Sequence, residues 1–178
     1  MAQMPLVSGM PQWMGWLYGG IAAVAAFTDY RSGKIYNWLT LPALALGLVV
    51  ALGVGMPTVV LALQGVAVAS VIFLPMFFGG ILGGGDVKLL LALGTVLGAH
   101  GIFFLSCTSI VIASAGAVAL LFVHRRAGIF VSQLWMFFRS VFTPGLQLQW
   151  PKLSRDIKAP FGIAIFFGLL YVLAGGSG

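Results

Sequence analysis

Six runs of apolar residues, at about 12–28, 38–55, 58–79, 87–99, 101–123 and 159–174, account for most of this 178-residue chain. Water cannot cover surface of that kind. The hydrocarbon core of a bilayer asks for about 20 apolar residues per helix, and most of the runs approach or reach that length, with 87–99 short for a full crossing. The predicted fold is therefore all-α: a polytopic membrane protein of six transmembrane helices, forming one membrane-embedded domain over 1–178. Composition points the same way. The chain is 61% hydrophobic and 7% charged, whereas a soluble domain is about one quarter charged.

Charge then orients the spans. Nine Lys and Arg against three acids give a formal charge of +6. The basic residues lie between the apolar runs and form no stripe or groove-reading module, so nucleic acid is not the expected partner and anionic lipid is. With six spans, Arg31, Lys34, Lys88, Arg125, Arg126, Arg139, Lys152, Arg155 and Lys158 all fall on one side, which the positive-inside rule makes the cytoplasm. Runs four and five are contiguous around His100 and Gly101, and one kinked helix is the alternative there. Merging them would put Lys88 on the side opposite the 124–158 cluster, so six spans with both termini outside the cytoplasm is the consistent arrangement. The N-terminus lacks the basic n-region of a cleaved signal peptide, so the first run is expected to stay as a span.

Aromatic residues fit this frame. Trp13, Trp16 and Tyr18 fall near the outer end of the first span, and Tyr30, Tyr36 and Trp38 flank the first inner loop, as interfacial belts do. Between spans five and six, residues 129–142 mix Trp135, Phe137 and Phe138 with Gln133 and Arg139, which predicts an amphipathic helix on the cytoplasmic membrane surface.

The three acids are Asp29, Asp86 and Asp156. Asp156 lies between Arg155 and Lys158 and reads as a solvated surface acid. Asp29 ends the first span and Asp86 begins the fourth, so the topology brings both to the cytoplasmic edge of the bilayer although they are 57 residues apart. Singly, each could be helix punctuation, Asp86 at a helix N-terminus and Asp29 paired with Arg31 or Lys34. Together they suggest chemistry. Two carboxyl groups brought close cannot both ionise easily and share a proton, one serving as base and the other as acid, which is machinery for activating water against a peptide bond. No nucleophile–histidine constellation competes: His100 and His124 fall at span ends, and Cys107 stands alone inside an apolar run. A lone cysteine also excludes an intramolecular disulfide and a multi-cysteine zinc site; no metal or cofactor is expected.

Before Asp86, the stretch from Gly79 to Gly85 holds five glycines in seven residues. Such a segment breaks a helix and allows positive φ, and Gly83 and Gly85 would let an extended substrate approach closely. Lys88 is a further candidate for orienting substrate. Its i, i+2 spacing points it away from Asp86, and snorkelling to lipid headgroups is the plainer reading.

Gly83-Gly84-Gly85-Asp86-Val87-Lys88 resembles the GxGD motif of membrane aspartic proteases, specifically the type IV prepilin peptidases. Asp29-Tyr30-Arg31-Ser32-Gly33-Lys34-Ile35-Tyr36-Asn37 is similar to that family's first motif, an Asp at the end of the first helix followed by a basic turn and an Ile-Pro-Asn-like element, with Tyr36 where Pro is common. Ala159-Pro160-Phe161-Gly162-Ile163-Ala164 is similar to its Pro-Tyr/Phe-Gly-like start of the last span. With one Cys and no cysteine-paired insertion, the chain looks like the compact branch associated with Flp-type tight-adherence pili. The resemblance implies an aspartic endopeptidase of the bacterial inner membrane, with Asp29 and Asp86 catalytic. Its substrate would be a prepilin or pseudopilin, cut after a Gly at the cytoplasmic border. Methyltransferase activity does not carry over. The competing classes are a small proton-coupled transporter or channel, and a non-enzymatic scaffold for pilus assembly. The oligomeric state and the acid that carries the proton stay open.

Overall fold

A computed structural model of the protein describes residues 6–123 and 161–175. Every regular element among them is a helix: α1 (Gln12–Ser32), α2 (Asn37–Val54), α3 (Met56–Phe78), α4 (Gly84–Val123) and α5 (Phe161–Leu173). The chain divides into two compact units, Met1–Ile112 with Pro160–Gly178, and Ala113–Ala159. The first holds all the helix ends discussed below. Of the second, the described part is the continuation of α4 through Val123. The surface helix expected over 129–142, His124, Asp156 and the basic residues from Arg125 to Lys158 lie outside the described residues.

The helix ends follow from local chemistry. Pro11 precedes α1, and Gly33, left-handed at φ 61° and ψ 26°, ends it, the conformation that costs a residue without Cβ least. Gly55 at φ 141° separates α2 from α3, and a proline opens α3, where a missing N–H is harmless.

Packing between helices uses small residues. The buried face of α2 is Thr40, Ala43, Gly47 and Ala51, and that of α3 is Thr58, Ala62, Gly65, Ala69 and Phe73. The large apolar side chains point outward instead, with Trp16 73%, Val71 76% and Phe78 80% exposed. A soluble protein would bury those groups. Small residues inside and bulky apolar residues outside is the arrangement expected where lipid covers the surface. Larger side chains are buried as well, among them Met14 of α1, Phe73 of α3 and Ile165 and Leu169 of α5, and in the first arm of α4 residues 92–98 are all buried, as in a helix at the centre of its bundle.

The expectation of six spanning helices is met in part. Three helices among the described residues are long and apolar enough to cross a membrane: Asn37–Val54, Met56–Phe78 and Gly84–Leu120. In α1, Gln12, Asp29 and Arg31 interrupt the apolar character, and α5 has 13 residues. Runs four and five are two helical arms of α4, about 84–97 and 99–123, that meet at a kink at Gly98 (φ 66°, ψ −174°), close to the division expected near His100–Gly101. Nothing polar separates the two arms, so the break rests on one glycine's conformation. The interrupted ladder leaves carbonyls to be bonded elsewhere, and the Val96 carbonyl accepts the Val7 N–H at 2.9 Å.

Tyr18 also departs from expectation. Trp13 and Trp16 are exposed, as belt residues should be, but Tyr18 is 2% exposed, and its hydroxyl donates to the Ala43 carbonyl. It ties α1 to α2 in the interior, where a phenol is stable once its O–H has a partner.

Candidate active site

Asp29 lies in the last turn of α1, where the Gly33 N–H donates to the Asp29 carbonyl at 2.7 Å and closes the helix. Its half-buried carboxylate leaves the helix sideways. Oδ2 accepts the backbone N–H of Gly162 at 2.8 Å. Gly162 is the second residue of α5, and the first four N–H groups of any helix have no partner within it. Asp29 thus satisfies one of them, at the positive end of the α5 dipole.

Asp86 is the third residue of α4. Its carboxylate accepts the backbone N–H of Gly83, the residue just before the helix, in the manner of an acid in a capping box. A Cβ on Gly83 would lie 2.8 Å from Asp86 Oδ2, so a side chain there would require the carboxylate to shift. Among the described residues, Asp86 Oδ1 is buried without a hydrogen-bond partner.

Two contacts draw the start of α4 toward the segment that follows Asp29. A Cβ on Gly85 would lie 2.5 Å from the Ile35 carbonyl oxygen and 2.8 Å from the Ile35 Cβ, so these backbones meet with no room between them. Lys88 Nζ donates to Asn37 Oδ1 at 2.9 Å, joining the first turns of α4 and α2. On the other flank, Phe77 at the end of α3 packs where a Cβ on Gly84 would be, 3.2 Å from its ring. The result is a cluster of helix ends in which the Asp29 and Asp86 carboxylates act on each other electrostatically.

Asp29, Gly83, Gly85, Asp86 and Lys88, singled out from sequence, are therefore found in one place. Gly83 and Gly85 accommodate the protein's own carboxylate and its own backbone at Ile35. Lys88 is bonded to Asn37, while Arg31 and Lys34 are exposed. Gly162, which sequence reasoning read as the start of the last span, touches Asp29 directly. The signal that could have found it was the Pro160-Phe161-Gly162 match, whose glycine has no obvious purpose in an apolar helix. No cluster of three or more His, Cys, Asp and Glu able to hold a metal ion occurs among the described residues.

A family model described as the type IV leader peptidase family matches residues 16–123, more than half of the chain and inclusive of both acids. No curated protein and no solved structure matches the chain significantly.

Proposed function

The chain belongs to the type IV leader peptidase family, and we propose from this that it is an integral-membrane aspartic endopeptidase. It removes the short basic leader of prepilins or pseudopilins, of the Flp type, after a Gly at the cytoplasmic face of a bacterial inner membrane. The observation that carries this reading is that the Asp29 and Asp86 carboxylates lie near enough to interact electrostatically in a chain that has only one other acid.

In the reaction, one carboxylate takes a proton from water as the water oxygen bonds to the carbonyl carbon of the scissile peptide. The other, protonated, gives its proton to the carbonyl oxygen. When the C–N bond breaks, the proton on the first carboxylate passes to the leaving amine and that of the intermediate's hydroxyl returns to the second. The pair ends with the single shared proton it began with. Asp86 Oδ1, buried without a partner among the described residues, is suited to engage the water or the carbonyl. Gly83 and Gly85 keep the approach to the acids narrow and free of side chains, and Lys88 lies on its rim.

Placement supports a peptidase over an ion pathway. Asp29 is three residues from the end of α1 and Asp86 is third in α4, whereas acids of transport pathways favour the membrane midplane and broken helices there. The cytoplasmic assignment of this end rests on Arg31, Lys34 and Lys88, which flank the two acids in sequence, and capture of a basic leader by a basic enzyme then depends on helix packing and anionic lipid. The test is cleavage of a prepilin co-expressed with Asp29→Asn or Asp86→Asn. Each should abolish processing while the protein still accumulates in the membrane; substantial processing by either variant overturns the two-aspartate mechanism.

A further inference from the structure

A carboxylate at the end of a helix has two torsions to settle, and at Asp29 a different helix constrains them. The N–H of Gly162 holds Oδ2 at 2.8 Å. A Cβ on Gly162 would lie 3.0 Å from both the Asp29 Cβ and Oδ2, and 3.3 Å from its Cγ. The whole Asp29 side chain therefore lies flat against the first turn of α5, in the space a methyl group would occupy. Gly162 itself is buried.

We infer that Gly162 is a positioning residue for Asp29: its N–H orients the carboxylate toward Asp86, and its lack of a side chain is what lets the carboxylate reach that N–H. The inference rests on reading Asp29 as catalytic. It adds a third helix to the site, so that α1 and α4 supply the acids and α5 supplies the orientation. It also gives the glycine of Pro160-Phe161-Gly162 a purpose that helix formation does not, because glycine is a poor helix former and alanine the best.

That last point makes the test selective. Gly162→Ala favours the helix while displacing the carboxylate by a few tenths of an ångström or more, and a misplacement of about 1 Å can lower a rate about a hundredfold. The control is Gly168→Ala, a buried glycine six residues further along the same helix. Its Cβ would be more crowded, 2.6 Å from Ser109 Oγ and 3.1 Å from Thr108 Oγ1, but it is remote from either acid. Full-length protein is assayed in liposomes with a prepilin leader substrate, kcat is taken per folded molecule, and Gly162→Ser, which adds the same Cβ, is carried in parallel in case the alanine variant accumulates poorly.

The expected result is a fall in kcat of about tenfold to a hundredfold for the Gly162 variants with KM unchanged, and a kcat within about twofold of the parent for Gly168→Ala. An unchanged kcat in the Gly162 variants overturns the inference. So does an equal loss at Gly168, which would mean that α5 packing alone is being read. Asp29→Asn, run alongside, separates the two levels: if it is inactive while Gly162→Ala is not, this inference alone fails, and if it is active the reading of Asp29 as catalytic fails with it.

Discussion

Gly65 of α3 and Gly94 of α4 cross backbone to backbone. A Cβ on Gly65 would lie 2.0 Å from the Gly94 carbonyl oxygen, and one on Gly94 would lie 2.8 Å from the Gly65 carbonyl oxygen. Neither clash can be relieved by turning a side chain, because the obstacle is main chain. This crossing seats α3 against the first arm of α4, the arm that carries Asp86.

Gly65→Ala should therefore destabilise the bundle by about 1–3 kcal/mol or more, as overpacking of a tight core does. Gly53→Ala in α2, where an added Cβ meets nothing within 4 Å, should be neutral or slightly stabilising. Thermal midpoints of the two variants in one detergent would check the contrast. Equal midpoints would mean that the crossing is looser than described.

Two glycines beside the acids should behave differently although they are adjacent. An added methyl at Gly84 meets the edge of the Phe77 ring at 3.2 Å, which can swing aside. At Gly85 it meets the Ile35 carbonyl at 2.5 Å. Gly85→Ala should lower leader cleavage at least about tenfold by moving the start of α4 away from Asp29, and Gly84→Ala should cost little, as rates per folded molecule would show.

The Lys88–Asn37 hydrogen bond is exposed, so water competes for both partners and its worth should be modest, about 1 kcal/mol or less. A double-mutant cycle with Lys88→Met and Asn37→Ala, read as thermal stability, should give a coupling of that order. A coupling of zero would reduce Lys88 to a headgroup contact.

Tyr18→Phe removes the buried hydroxyl that donates to the Ala43 carbonyl. A loss of about 1 kcal/mol in stability is expected, with kcat unchanged. Tyr18 is 11 residues from Asp29 along α1, about 16 Å at the helical rise. A changed kcat would show that the interior hydrogen bonds communicate with the acids.

Asp29→Asn and Asp86→Asn should be non-additive: the double variant is expected to be no slower than either single one, because a pair that moves protons jointly is lost with its first member. Further slowing in the double variant, measured as residual cleavage over long incubation, would indicate independent roles.

Much of this architecture was legible from the chain. The apolar runs at 38–55 and 58–79 anticipate α2 and α3 closely, because hydrophobic length is a property of contiguous residues. The two acids stood out because a chain with three carboxylates has few places to put function. What could not be read depended on conformation or partner. Gly98 breaks α4 through its φ, one glycine among 25, and composition marked His100–Gly101 instead. Tyr18 differs from Trp16 in the direction it faces, which an aromatic near a span end does not announce. Gly162 contributes a main-chain N–H, and every residue but proline has one.

The bond from Gly162 to Asp29 closes across 133 residues. At about 5–20 residues per second, a ribosome needs roughly 7–27 s to add them. Through that interval a nascent chain carries Asp29, and before its end Asp86, in the same membrane as every other protein being inserted, but without the turn of helix that aims the first acid. If Gly162 positions Asp29 as inferred, the order of translation leaves the first acid unaimed until α5 arrives.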